Sequence, residues 1–215
     1  MPIEVKLCGL NTPEAMDAAV SAGADMIGLN FYPPSPRAVT TEEGARLAQR
    51  AGARVRKAGL LVNPDDELLI RVTQSVPLDL LQLHGEIPAE RVAEIRARFG
   101  LPVMLALPIA REEDLDAVTP FEPVADRFLF DAKPPKTMKD ALPGGNAISF
   151  DWQLLAGRSF RRPWMLAGGL TTDNLAQAVQ ISGAKAVDTA SGVEEAPGKK
   201  SVEKIKAFVE AARRL

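Results

Sequence analysis

A chain of 215 residues, 46% hydrophobic and 25% charged with a net charge of −2, suits one compact domain and lacks the basic excess of a nucleic-acid binder. Its apolar-rich stretches, such as residues 58–62 and 78–83, are far shorter than a membrane span, and the N-terminus carries no charged-then-apolar leader pattern, so a cytoplasmic protein without membrane partners is expected. One cysteine, Cys8, excludes an intramolecular disulfide, and one histidine, His84, excludes a multi-histidine metal site.

Short aliphatic runs alternate with segments of helical period along the whole chain, the pattern of a parallel sheet covered by helices. Strands are predicted over residues 4–8, 26–30, 58–62, 80–83, 103–106, 127–130, 164–167 and 186–188. After the first strand, Thr12-Pro13-Glu14 places a capping hydroxyl before a proline suited to a first turn, and Ala15, Ala18, Ala19 and Ala22 form a small apolar stripe ending at Gly23. Leu68, Leu69, Val72 and Val76 follow Asn63-Pro64, and Val92, Ile95 and Phe99 follow Pro88 and stop at Gly100. A shorter helix is predicted near residues 112–119, before Pro120 and Pro123, and the last helix follows Ser201 with Val202, Ile205, Phe208, Val209 and Ala212 on one face. Eight strand-plus-helix units of roughly 27 residues each are near the lower limit for an α/β fold of the single (β/α)8 TIM-barrel type spanning residues 1–215. An open doubly wound sheet shares this local pattern. The barrel is favoured because no glycine-rich dinucleotide fingerprint follows the first strand and polar residues gather after nearly every strand. The one long connection, residues 131–148, holds Pro134-Pro135, three lysines and Leu142-Pro143-Gly144-Gly145-Asn146, and reads as a lid or binding segment.

In a barrel the residues after the strands converge on one mouth. Here they are Cys8-Gly9, the proline-rich turn leading to Arg37, His84-Gly85, Asp131, Gly168-Gly169, and Asp188 through Ser191-Gly192. Gly168 and Gly169 with Ser191 and Gly192 offer backbone and hydroxyl donors after the last two strands, which suits a phosphate. Arg37, stiffened by three prolines, suits a substrate carboxylate, the bland alternative being a surface ion pair. His84 reads first as a structural hydrogen-bonder and is carried with Arg37 and Asp188 among the substrate-contacting candidates. Cys8 as a small buried residue is the default for a lone strand cysteine, but a thiolate at a strand end facing the carboxylic acid of Asp131 makes a base and acid pair for two faces of a bound sugar. Such a pair wants the thiol pKa lowered from about 8.5 and the carboxyl raised from about 3.9.

The motifs Lys6-Leu7-Cys8-Gly9, Phe31-Tyr32-Pro33-Pro34-Ser35-Pro36-Arg37, Leu81-Gln82-Leu83-His84-Gly85, Phe130-Asp131, Leu166-Ala167-Gly168-Gly169-Leu170 and Ser191-Gly192-Val193-Glu194 together resemble the phosphoribosylanthranilate isomerases of tryptophan biosynthesis. The resemblance implies a (β/α)8 barrel that performs a cofactor-independent Amadori rearrangement on one small-molecule substrate, as a monomer or homodimer. It implies Cys8 as general base, Asp131 as general acid, Arg37 on the anthranilate carboxylate, Asp188 near the sugar hydroxyls, and Gly168, Gly169, Ser191 and Gly192 around the phosphate. Two positions depart from the family pattern. Gly144-Gly145-Asn146-Ala147 stands where Gly-Gly-Thr/Ser-Gly is usual, and Val187-Asp188-Thr189-Ala190-Ser191 where Val-Asp-Val-Ser-Ser is usual.

Three alternatives compete. A histidine-pathway aminoaldose isomerase has an aspartate where Cys8 stands, and a metal-dependent sugar-phosphate epimerase needs more histidine ligands than this chain owns. A non-catalytic phosphosugar-binding barrel would keep the phosphate loops but has no need of Cys8 and Asp131 together.

Overall fold

Strands with few polar residues inside a chain of this length have to bury both faces, and closing the sheet on itself under a coat of helices does so. In the computed structural model, which describes residues 2–135, 137, 138 and 141–215, eight parallel strands close in sequence order with the last paired to the first. They are β1 (Glu4–Cys8), β2 (Met26–Asn30), β3 (Arg56–Val62), β4 (Leu80–His84), β5 (Val103–Ile109), β6 (Arg127–Ala132), β7 (Trp164–Leu166) and β8 (Ala186–Thr189). The helices are α1 (Pro13–Ala22), α2 (Thr41–Ala51), α3 (Asp66–Ser75), α4 (Ala89–Phe99), α5 (Leu175–Ser182) and α6 (Val202–Arg213).

Local signals set these boundaries. Thr12 accepts from the Ala15 N–H with Pro13 at the start of α1, and Gly23 ends that helix in the left-handed region. Ser201 caps α6, whose Ile205, Phe208, Val209 and Ala212 are buried against the barrel wall. Two apolar layers result. One lies between strands and helices, and a smaller one of Met26, Ala58, Leu80, Met104, Ala106, Leu129, Met165, Ala167 and Ala186 fills the barrel interior.

Three expectations change. The segment expected as the fifth helix is a 3-10 helix, Glu112–Phe121, with Pro120 inside it. Proline has no N–H to continue an α-helical ladder and clashes with the preceding turn. Between β6 and β7 the only helical piece among the described residues is the 3-10 turn Trp152–Leu155, so the eight strands do not each have an α-helix. After β8 the chain makes an unforeseen hairpin of β9 (Glu194–Ala196) and β10 (Lys199–Lys200) before α6.

Candidate active site

Side chains alternate across a strand, so every second residue of each barrel strand points inward and the last inward one stands at the mouth. On β1 the set is Glu4, Lys6 and Cys8, on β4 Leu80, Gln82 and His84, on β6 Arg127, Leu129 and Asp131, and on β8 Ala186 and Asp188. Cys8, Arg37, His84, Asp131 and Asp188 thus line one cavity, with Asn30, Gln82 and residues 142–145.

Asp131 is buried and accepts from the Ala132 N–H at 2.8 Å. Burial pushes its carboxyl up to about 7, aided by the Asp188 charge and opposed by the N–H groups of Ala132 and Gly145 and by the Lys6 ammonium. Burial also pushes the Cys8 thiol up, against the pull of Lys6 and Lys200 and with a further push from Asp188. The Cys8 thiol is therefore raised, where the expectation for a base was a lowered one. For His84, burial and the nearby Lys6 charge lower the imidazole to about 4, so it is neutral near pH 7. Its Nε2 meets the Gln82 amide at 2.7 Å and its ring is also bonded to the Pro143 carbonyl. The Gln82 Oε1 atom is buried in the same cavity with no partner among the described residues.

Arg37 is held by more than its prolines. Asn30 donates to Ser35 Oγ at 3.1 Å, and the same hydroxyl accepts from the Arg37 N–H at 3.2 Å. The guanidinium is buried, and its Nε and Nη2 donate to the two oxygens of Glu194 at 2.8 and 2.9 Å. The fork expected to meet a substrate carboxylate is thus closed by a protein carboxylate, leaving Nη1 as the edge without a partner among the described residues. Glu194 also receives Lys200 Nζ at 2.8 Å.

The connection after β6 folds back over the mouth. Arg37 Nη2 donates to the Gly145 carbonyl at 3.2 Å, Gly145 N–H donates to Asp131, and Asn146 bridges both backbone groups of Leu142 at 2.9 and 2.7 Å. A Cβ on Gly144 would stand 2.6 Å from Asp131 Oδ2, so only glycine lets this segment sit so low. About 40 Å³ of space remains beneath it. Of the three lysines in this connection, Lys133 pairs with Asp114 at 2.7 Å, while Lys136 and Lys139 lie outside the described residues.

The four expected phosphate residues lie on adjoining loops after β7 and β8 but do not line the cavity holding Cys8 and Asp131. Gly168 and Gly169 have φ of 91° and 60°, conformations that favour glycine. Thr189 Oγ1 donates to the Leu170 carbonyl at 2.7 Å and ties the two loops together, so this departure from the family pattern has a structural use. Ser191 lines a neighbouring depression with Arg37, residues 145–147 and Glu194.

A thiol and a protonatable carboxyl in one barrel mouth, beside glycine loops after the last two strands, match one family throughout: the model of N-(5'-phosphoribosyl)anthranilate isomerase covers residues 5–211. The chain belongs to this phosphoribosylanthranilate isomerase family. It is 57% identical over 213 residues to the isomerase of Paramagnetospirillum magneticum, covering 99% of this chain and 98% of that protein. The Thermotoga maritima isomerase superposes with a TM-score of 0.87 at 33% identity, covering 99% of this chain and 100% of the other. A phosphoribosyl anthranilate isomerase in complex with reduced 1-(o-carboxyphenylamino)-1-deoxyribulose 5-phosphate superposes at 0.84, with 31% identity and coverage of 99% and 100%.

Within the isomerase site, sequence reasoning passed over Lys6, Gln82, Glu194 and Lys200. Lys6 and Gln82 each stand two residues before a mouth residue, and that spacing puts them on the same inward face. Glu194 and Lys200 enter through the hairpin after β8, which has no comparable periodic signal.

Proposed function

We propose that this barrel converts N-(5'-phosphoribosyl)anthranilate into 1-(2-carboxyphenylamino)-1-deoxyribulose 5-phosphate in tryptophan biosynthesis, with Asp131 as general acid and Cys8 as general base in one catalytic domain. The observation that carries this reading is the Asp131 carboxyl pushed up to about 7 in the same cavity as the single thiol, since an acid that works near neutrality has to hold its proton there. The complex of a related isomerase with the reduced product supports the substrate.

Asp131 protonates the ribose ring oxygen, and the ring opens to a protonated Schiff base. Cys8 then takes the proton from C2, the C–H pair becomes the C1–C2 double bond, and the iminium is neutralised as the enolamine forms. Tautomerisation gives the ketone. The free Nη1 edge of Arg37 meets the anthranilate carboxylate, and Asp188 and the unpartnered Gln82 oxygen take sugar hydroxyls. Neutral His84 holds Gln82 in place. Gly168, Gly169, Ser191 and Gly192 hold the phosphate through backbone and hydroxyl donors. A phosphorylated aryl-aminosugar does not fit in about 40 Å³, so residues 142–145 lift to admit it. The reaction is placed in the cytoplasm, with no cofactor and no nucleic-acid partner.

Steady-state assay of the loss of substrate fluorescence tests the assignments. Cys8→Ala and Asp131→Asn are each expected to lose about 10²- to 10⁴-fold in turnover while staying folded. Arg37→Ala should chiefly raise KM, because an anchor that binds ground and transition states alike contributes mainly to binding. Near-normal turnover of Cys8→Ala would remove the thiol from the mechanism.

A further inference from the structure

A wholly buried lysine is costly to a barrel interior, where an apolar residue of similar volume commonly serves stability as well or better. Lys6 is 0% exposed on β1, and its Nζ lies 2.8 Å from Asp188 Oδ1 across the seam with β8. The same ammonium crowds Cys8. A Cβ placed on Gly28 of β2 would lie 2.8 Å from the Cys8 sulfur and 3.3 Å from Lys6 Nζ, so both atoms fill the hollow that this glycine leaves. The pair is therefore packed at the foot of the site.

We infer that Lys6 is a positioning residue that holds its ammonium against the Cys8 sulfur so that a thiolate forms inside the barrel, with Asp188 fixing that ammonium in place. The inference deepens the reading of Cys8 as base and rests on it. A thiolate in a dry cavity needs a cation close by, because burial alone favours the neutral thiol. The groups facing Cys8 are Lys6 from its own strand, Asp188 from β8 and Lys200 from β10, while Asp131, His84 and Arg37 line the same cavity. Lys200 is already committed to Glu194 and to the Ala190 carbonyl, each at 2.8 Å, and acts on the thiol less than Lys6 does. As Cys8 takes the C2 proton, the S–H bond forms, the sulfur's charge is neutralised, and the cation keeps only its Asp188 partner.

Because the chain has one cysteine, thiolate absorbance followed against pH, with Cys8→Ser as the blank, reports this sulfur alone. In Lys6→Gln the thiolate midpoint is expected to rise by about one pH unit or more. Turnover should fall with its acid limb displaced the same way while KM holds, and Lys6→Arg should recover part of it. Lys6→Met, an apolar side chain of similar length, should also move the midpoint up, which keeps the test open if Lys6→Gln does not fold. An unmoved midpoint in folded Lys6→Gln, or in Lys6→Met where only that variant folds, overturns the inference. Loss of the base reading would instead show as undiminished turnover in Cys8→Ala, a separate measurement.

Discussion

His84 and Asp131 sit under the same Pro143–Gly145 segment yet bind protons in opposite senses. His84 is lowered from 6.5 to about 4, so its contribution to stability is complete above pH 6.5 and is lost as pH falls through 4. Asp131 is raised from 3.8 to about 7, so its contribution is complete below pH 3.8 and is lost as pH rises through 7. Each displacement is worth on the order of 3–4 kcal/mol, so between pH 4 and 7 the two trends largely cancel. Urea titrations across that range should find a shallow dependence in the parent chain. Asp131→Asn should then lose stability toward acid and His84→Gln toward alkali, and parallel slopes in all three proteins would refute the pairing. Cys8, His84 and Asp131 were legible in the sequence because each ends a strand run. Lys6 was not, since a lysine is ordinarily a surface residue and its burial depends on Asp188, 182 positions away.

One bonding device recurs at the foot of the barrel. Asp25, Asp79 and Asp126 each stand just before an even-numbered strand and accept the N–H of Val5, Lys57 and Val103 at the start of the preceding one, at 2.7, 2.7 and 2.9 Å. Each also holds a cation, Arg213, Lys57 or Arg96. Losing a bond of this charge-assisted kind costs about 1.5–3 kcal/mol, which is the loss expected for Asp126→Ala in chemical denaturation. The kinetic constants should not change, because this face is the opposite end from the mouth; a changed KM would show that the foot and the site are coupled. The loop over the mouth carries a second signal. Ala147 has φ of 57°, at the place where the family pattern has glycine. Left-handed alanine is strained, so Ala147→Gly should give a net gain of roughly 0.5–1 kcal/mol after the added chain entropy is set against it. An unchanged denaturation midpoint would mean that the strain is relieved elsewhere. Turn glycines and the cap at Thr12 were readable from sequence, whereas the 3-10 segment after β5 escaped because Pro120 falls late in an otherwise helical pattern.

At the scale of the whole molecule, the apolar side chains of the strands are buried in two layers, one against the helices and one inside the barrel. Among the described residues the only large hydrophobic side chain classed as exposed is Leu215, and no helix is long and apolar enough to cross a membrane. The sequence by itself determined the eight strands, most of the helices between them and the ring of chemistry at the strand ends, because each depends on neighbours within a few positions: period, cap, turn and motif. Tertiary structure alone decided that Arg37 spends its fork on Glu194, that Lys6 sits between Cys8 and Asp188, and that Gly145 bonds both Arg37 and Asp131. Those partners are far apart in sequence. Closure of the sheet brings their charges into one poorly solvated space, where each group's protonation and free hydrogen-bonding edges depend on the others.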